Sequence, residues 1–117
     1  MPYKRILEAL LARVPGSRTA LLLDAQGEVV VGAGDLDERH RLIGAYQGIA
    51  LSMAMRTAGR FGTGAVRTLA WRYGGGAVIL STLRDGYYLV LSVGPTSLVA
   101  LAQRHCEDAR RELDQEI

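Results

Sequence analysis

The stretch Asp35–Arg60, DLDERHRLIGAYQGIALSMAMRTAGR, predicts one long helix that is apolar around most of its circumference. Asp35 or Asp37 suits the N-terminal cap, and Gly59 suits the C-terminal end. Apolar side chains recur at helical spacing on three neighbouring rows, which is more apolar surface than one supporting sheet can cover. We therefore expect this helix to be buried on more than one side, against a sheet and against a second partner.

Before the long helix, the sequence predicts a β-hairpin. Thr19–Leu23 and Val29–Val31 are rich in residues that favour strands. Between them, Asp24-Ala25-Gln26-Gly27 suits a tight turn whose last residue is left-handed. We expect Gly32-Ala33-Gly34 to connect this hairpin to the long helix.

After the long helix, three strand-like runs predict a meander: Ala65–Tyr73, Ala77–Leu83 and Tyr87–Val93. The glycines at 74–76 supply the first turn, and Asp85-Gly86 indicates a hairpin turn of the primed type. Such short connections exclude parallel pairing. The last strand carries apolar residues on both faces, so the sheet is expected to be covered on both sides.

Each end of the chain predicts a helix. Apolar residues from Tyr3 to Val14 follow helical spacing until Pro15-Gly16 stops the helix. Pro95, with Thr96 or Ser97 as the cap, is expected to open the last helix. Its expected inward stripe consists of Leu98, Leu101, Ala102, Cys106, Ala109 and Leu113.

The predicted element order is α-β-β-α-β-β-β-α. This order gives a mixed α/β fold with three α-β-α layers: a five-stranded antiparallel sheet, the long helix on one face and the terminal helices on the other. A chain of 117 residues is expected to form one domain, spanning residues 1–117.

Composition narrows the function classes. Hydrophobic residues make up 49% and charged residues 22%, which indicates a globular chain. No apolar run approaches the roughly 20 residues that span a bilayer, and the N-terminus lacks the apolar core of a signal peptide, so a cytoplasmic location is expected. From Arg39 to Arg84 there are seven arginines and no carboxylate. This basic middle segment either attracts an acidic protein surface or nucleic acid, or only solvates exposed faces.

No residue pattern predicts catalysis, a cofactor or a metal. The glycine clusters lack the strand, helix and Lys-Ser/Thr context of a phosphate-binding loop. His40 and His105 are far apart and have no partners at metal-ligand spacing. The single Cys106 lies on an apolar helix face, where burial is expected, and Asp24 and Asp85 are explained by their turns. We therefore expect a protein that is not an enzyme.

The element order, with the hairpin LLLDAQGEVV and the meander AVILSTLRDGYYLVLSVG, resembles the Roadblock / dynein light chain family over essentially the whole chain. The resemblance implies a Roadblock-like (profilin/longin-like) fold and a non-enzymatic dimer, in which paired long helices and a continuous sheet form a platform for other proteins. Many bacterial members work with small Ras-like GTPases. In the gliding-motility (Mgl) type, a homodimer engages the GTPase and promotes hydrolysis.

Two surfaces are expected to carry such a role. The strand Ala65–Tyr73 should be an edge that pairs with its own copy, bringing the two long helices together. The expected dimer interface consists of Gly44, Gly48, Leu51, Ser52, Met55, Arg67, Leu69 and Trp71. If the chain binds a GTPase directly, the expected contacts are Arg39, His40, Arg41, Gln47 and Arg56.

Other interpretations stay open at this point. The small residues of the long helix also suit packing on their own sheet, and Trp71 is more often a core residue than an interface residue. The chain is alternatively an adaptor for another Roadblock protein or a polarity or motility adaptor. A nucleic-acid binder would use the arginines of the middle segment, but aromatic residues are only 6% and no recognition motif is present. A small enzyme of unrecognised type is the remaining alternative.

Overall fold

Five strands form one antiparallel sheet in the computed structural model, which describes residues 2–36, 53, 55–60, 62 and 64–117. The sheet order is β2-β1-β5-β4-β3, which places β3 at one edge as predicted. The strands are β1 (Ser17–Leu23), β2 (Val29–Gly34), β3 (Thr68–Tyr73), β4 (Gly76–Thr82) and β5 (Tyr88–Val93). The terminal helices are α1 (Pro2–Arg13) and α2 (Val99–Glu116), and residues 55–60 are also helical. The mixed α/β class and the five antiparallel strands are confirmed.

The two terminal helices pack on the same face of the sheet. Leu7 and Leu10 of α1 and Leu113 of α2 are at most 1% exposed, and they share one apolar cluster with Leu89 and Leu91 of β5. The amphipathic spacing of both helices therefore directs their apolar stripes into this layer, as predicted. Tyr3 joins the far ends of the helices, because its hydroxyl donates to the Glu116 carbonyl at 2.8 Å.

The other face of the sheet carries a second apolar cluster. Its buried members are Leu21, Leu23, Val78, Leu80, Tyr88 and Val90. Alternation along β5 explains the division: Leu89, Leu91 and Val93 point to the terminal helices, while Tyr88 and Val90 point the opposite way. Both faces of the sheet are thus buried. Most of the long helix predicted for the second face lies outside the described residues.

The two predicted hairpin turns have the expected geometry. Gly27 has φ +84°, its N–H donates to the Asp24 carbonyl at 3.0 Å, and Asp24 Oδ1 accepts from the N–H groups of Gln26 and Glu28. Asp85 and Gly86 both have positive φ, at +59° and +80°, as a primed turn requires. Local residue chemistry therefore determines both turns.

The connection predicted at Gly32-Ala33-Gly34 is wrong, because these residues belong to β2. They pair with Leu21, Ala20 and Thr19 of β1. Gly34 has φ +86°, and a Cβ at this position would collide with the Arg18 carbonyl oxygen. The glycines thus permit a strand that approaches its neighbour closely, where the sequence predicted a connection to the long helix.

The predicted cap of the last helix is also wrong. The residue at the N-cap is Leu98, which makes no capping side-chain hydrogen bond and is 69% exposed. Ser97 Oγ donates instead to the Pro15 carbonyl at 2.9 Å. The hydroxyl thus ties the start of α2 to the end of α1, and Leu98 does not join the inward stripe. Cys106, Ala102, Ala109 and Leu113 are buried as predicted.

The strand predicted to begin at Ala65 begins only at Thr68. Side-chain alternation therefore does not extend to Arg67, which was expected beside Leu69 and Trp71. Val66 packs against the second apolar cluster with Leu69 and Trp71, whereas Arg67 is exposed.

Candidate interaction surfaces

The free side of β3, here called the β3 edge, presents backbone groups of three residues. The Thr82 N–H donates to the Arg67 carbonyl at 2.9 Å, which fixes the orientation of the ladder with β4. Because hydrogen-bonded and non-hydrogen-bonded pairs alternate in an antiparallel ladder, residues 69, 71 and 73 face β4. The N–H and C=O groups of Thr68, Ala70 and Arg72 consequently point away from the sheet.

The side chains around the β3 edge are partly apolar. Leu69 and Trp71 are half-buried against the second apolar cluster, and Tyr73 is 46% exposed. The Arg72 guanidinium donates to the Ser97 carbonyl at 3.2 Å, which holds this arginine on the side of the terminal helices. Within the described part of the chain, the edge therefore combines unpaired backbone groups with aromatic and aliphatic side chains that further contact can bury.

A second surface lies on the helical residues that precede β3. Met53 and Met55 are 60% and 48% exposed. Arg56 and Arg60 are exposed and line an open cavity of about 620 Å³ with Met53 and Thr57. Exposed methionines beside arginines are typical of a surface that contacts another protein. Met55 and Arg56 are the predicted interface and partner residues that fall on this segment.

The remaining residues predicted for the dimer interface or for partner binding lie outside the described residues. They are Gly44, Gly48, Leu51 and Ser52 for the interface, and Arg39, His40, Arg41 and Gln47 for the partner. Their assignments stay predictions.

Charge is distributed unevenly over the described surface. All five described arginines of the middle segment are exposed or partly exposed: Arg56, Arg60, Arg67, Arg72 and Arg84. The C-terminal helix carries several carboxylates. Among them, the Glu107 carboxylate accepts two hydrogen bonds from the Arg110 guanidinium, at 2.7 and 3.0 Å. These hydrogen bonds hold the pKa of Glu107 below its ordinary value, although partial burial opposes the shift. Arg110 also binds Asp114 at 3.1 Å, so the helix neutralises much of its own charge.

The described residues include few side chains arranged for catalysis or metal binding. Cys106 is 1% exposed, and burial raises the pKa of its thiol to about 12, so it is not a thiolate nucleophile at neutral pH. Burial, assisted by the charge of Asp24, likewise raises the pKa of Tyr88. In the described part of the chain, no group of three His, Cys, Asp or Glu side chains can hold a metal ion. None of the helices described there has the length and apolarity to span a bilayer.

Sequence reasoning missed the exposure of Met53 and Tyr73. Met53 lies on an apolar row of the long helix and Tyr73 on the same side of its strand as Leu69 and Trp71, and periodicity does not distinguish a row that faces the core from one that faces outward. The one feature of the sequence that indicated exposed apolar residues was the surplus of apolar surface on the long helix.

The fold is that of Roadblock/LC7 domains. A crystal structure of a Roadblock/LC7 domain from Streptomyces avermitilis superimposes with a TM-score of 0.87 and 21% identity, over 97% of this chain and 95% of that one. The predicted family resemblance is therefore confirmed at the level of the fold.

Among the solved structures with this fold are gliding-motility proteins. The gliding protein MglB from Thermus thermophilus gives a TM-score of 0.84 at 18% identity, over 95% of this chain and 84% of that one. Myxococcus xanthus MglB gives a TM-score of 0.86 at 12% identity, over 97% of this chain and 92% of that one. No family model matches the sequence, and no curated protein matches it.

Proposed function

We propose that this chain is a homodimeric Roadblock-type regulator that acts on a Ras-like small GTPase by protein contact, without catalysis of its own. The observation that carries the proposal is the β3 edge, with its unpaired backbone groups beside Trp71 and Tyr73, in a fold shared with MglB proteins. One structure with this fold is described as MglB with a tetrameric arrangement, which supports self-association as a property of similar chains.

The β3 edge suits pairing with its own copy. Around a two-fold axis at Ala70, Thr68 of one protomer faces Arg72 of the other, and the outward N–H and C=O groups of both strands meet. The two sheets then form one continuous sheet of ten strands, twice the five of one chain. This pairing also satisfies an edge that otherwise invites uncontrolled association.

The helical residues that precede β3 in sequence supply the contact with the GTPase. Met53 and Met55 provide apolar area, and Arg56 and Arg60 provide positive charge next to it. An acidic surface on the partner is the complement of this arrangement. The charge pattern accordingly supports the predicted role of Arg56.

Ala70→Pro tests the dimer. Proline removes the N–H of residue 70, which faces away from β4, so the β3–β4 ladder keeps its hydrogen bonds. We expect light scattering to give about twice 12.7 kDa for the native chain and about 12.7 kDa for the variant at micromolar concentration. Ala70→Thr keeps the N–H and should stay dimeric.

Two outcomes contradict the proposed dimer. One is a native chain that scatters as a 12.7 kDa monomer. The other is an Ala70→Pro variant that is folded by circular dichroism and still dimeric, which excludes pairing through this edge.

Affinity capture from the native cell extract, followed by mass spectrometry, tests the GTPase. We expect a Ras-like GTPase to be recovered, and the purified GTPase to hydrolyse GTP faster in the presence of the chain. Recovery of a second Roadblock protein without a GTPase would favour the adaptor function instead. MglC from Myxococcus xanthus, which superimposes with a TM-score of 0.71 at 14% identity, supports keeping that alternative.

A further inference from the structure

The strand β2 forms the edge opposite to β3 in the described sheet, and it carries no charged side chain and no proline. Its sequence is VVVGAG, from Val29 to Gly34. Edge strands commonly carry such residues to discourage pairing with other chains. A bulge leaves Val30 without a partner on β1, because Leu22 pairs with Val31 and Leu23 with Val29. Regular pairing at this β2 edge is therefore confined to residues 31–34.

The outward backbone groups of the β2 edge belong to glycines. The Asp35 N–H donates to the Arg18 carbonyl at 2.9 Å, and Thr19 Oγ1 donates to the Asp35 carbonyl at 2.7 Å, so the backbone of Asp35 faces β1. Because the orientation alternates along the strand, the N–H and C=O groups of Gly32 and Gly34 turn away from the sheet. Since glycines have no side chain, two donors and two acceptors are open to an incoming strand as far as the described residues extend.

The charges that flank the two edges differ in sign. Acidic residues border β2 on both sides in sequence: Asp24 and Glu28 before it, and Asp35, Asp37 and Glu38 after it. The β3 edge is bordered by Arg67 and contains Arg72. The β2 edge is thus an uncharged strand between two acidic ends.

This charge pattern determines which kind of strand can pair favourably with the β2 edge. Two copies of β2 paired around Gly32 would place Glu28 of each copy opposite the Asp35 end of the other. Like charges that face each other across a strand pair are destabilising, so self-pairing is disfavoured. A strand with basic residues at both ends and uncharged residues between them matches the charge at each end.

We propose that the β2 edge receives, by strand addition, an extended segment of a partner protein that has basic residues at both ends and an uncharged middle. Main-chain hydrogen bonds to Gly32 and Gly34 supply the pairing, and the acidic flanks set the preference. The β2 edge lies across the sheet from the β3 edge, so the inference does not depend on the proposed function.

A synthetic peptide, acetyl-Lys-Thr-Val-Thr-Val-Lys-amide, tests this inference. It is titrated into the nitrogen-15-labelled chain, and amide shifts and hydrogen exchange are followed by NMR. We expect the amides of Gly32 and Gly34 to shift and to exchange more slowly. The same peptide with Glu in place of both Lys should bind about three- to tenfold more weakly at low salt, and the difference should shrink as salt is added.

Matched variants locate the peptide. Val30 is 44% exposed, so Val30→Lys places a positive charge beside the edge without disturbing the core, and Val30→Thr keeps the branched shape without the charge. Val30→Lys and Glu28→Lys should each weaken the binding of the basic peptide roughly threefold, whereas Val30→Thr should leave its affinity unchanged. The Ala70→Pro variant should bind the peptide as the native chain does.

Two results would overturn the inference. One is a shift at Ala70 and its neighbours in place of Gly32 and Gly34, which would assign the peptide to the β3 edge. The other is equal affinity for the Lys and Glu peptides, which would remove the role of the acidic flanks. Equal affinity for the two peptides does not bear on whether the chain dimerises or binds a GTPase, whereas a shift at Ala70 also concerns the edge proposed for the dimer.

Discussion

At the scale of single residues, Gly34 shows how closely β1 and β2 approach. Its φ of +86° lies in the left-handed region, and a Cβ would collide with the Arg18 carbonyl oxygen. Backbone atoms cannot give way as the end of a flexible side chain can. The residue type is therefore required by the geometry of the strand pair.

Gly34→Ala should lower the free energy of unfolding by about 1–3 kcal/mol, because the left-handed backbone and the collision both oppose a side chain. Gly74→Ala is the matched control, since a Cβ at Gly74 meets no atom within 4 Å. Urea unfolding at equal protein concentration measures both variants. Equal loss in the two variants would show that Gly34 has no special role.

At the scale of elements, the C-terminal helix is stabilised by a chain of ion pairs between its own side chains. Arg110 holds Glu107 and Asp114, which lie three residues before it and four residues after it. The backbone N–H of Arg84 donates to Asp114 Oδ1 at 3.0 Å, so the network also fastens the β4–β5 turn to the helix. A carboxylate with a depressed pKa stabilises the folded state above its ordinary pKa and loses this effect as the pH falls through the folded value.

Glu107→Gln should therefore destabilise the chain by roughly 0.5 kcal/mol at pH 7 and by less at pH 3, because the stabilisation by the native carboxylate is lost as the pH falls through its lowered pKa. Urea unfolding at the two pH values gives the difference. Glu112→Gln, which removes an exposed carboxylate from the same helix, provides the baseline. A Glu107→Gln effect that is equal at both pH values would contradict the assigned cause.

Elements whose signal is local were predictable from the sequence. The turns at Asp24–Gly27 and Asp85-Gly86 have residue types that suit few other conformations. The N-terminus of α2 was not predictable, because the Ser97 hydroxyl bonds to Pro15, 82 residues away in sequence. A cap prediction uses neighbouring residues only, and here a tertiary contact decides what the hydroxyl does.

At the scale of the whole molecule, Arg56 and Arg60 give the helical segment that precedes β3 a positive field. Net charge is only +2, so the effect comes from position and not from the total. Such a field increases the rate at which an acidic partner associates, and salt screens it over about 10 Å at 0.1 M.

The double variant Arg56→Glu with Arg60→Glu should slow association with the proposed GTPase about tenfold at low salt, and the deficit should fall as salt rises. Arg5→Glu with Arg13→Glu reverses two exposed charges at the N-terminal helix and should leave the rate nearly unchanged. Stopped-flow mixing measures both. If the decrease in association rate does not depend on salt, the double variant has lost direct contacts with the GTPase and not long-range electrostatic attraction.

The candidate surfaces were only partly predictable from the sequence. Strand order follows from short connections, so β3 was recognised as an edge and Trp71 as a residue beside it. The acidic flanks of β2 were visible, but Gly32-Ala33-Gly34 was interpreted as a linker, which concealed a second edge. The direction of a backbone hydrogen bond depends on register, and register does not follow from composition.

The position of β1 between β2 and β5 has a consequence for how the chain is made. Residues 17–23 pair with residues 88–93, so one side of β1 stays unpaired until roughly 65 further residues have been synthesised. At roughly 5–20 residues per second, this takes several seconds. During that interval the leucines of β1 are exposed on the nascent chain, which makes its first quarter a natural substrate for the chaperones that meet proteins at the ribosome.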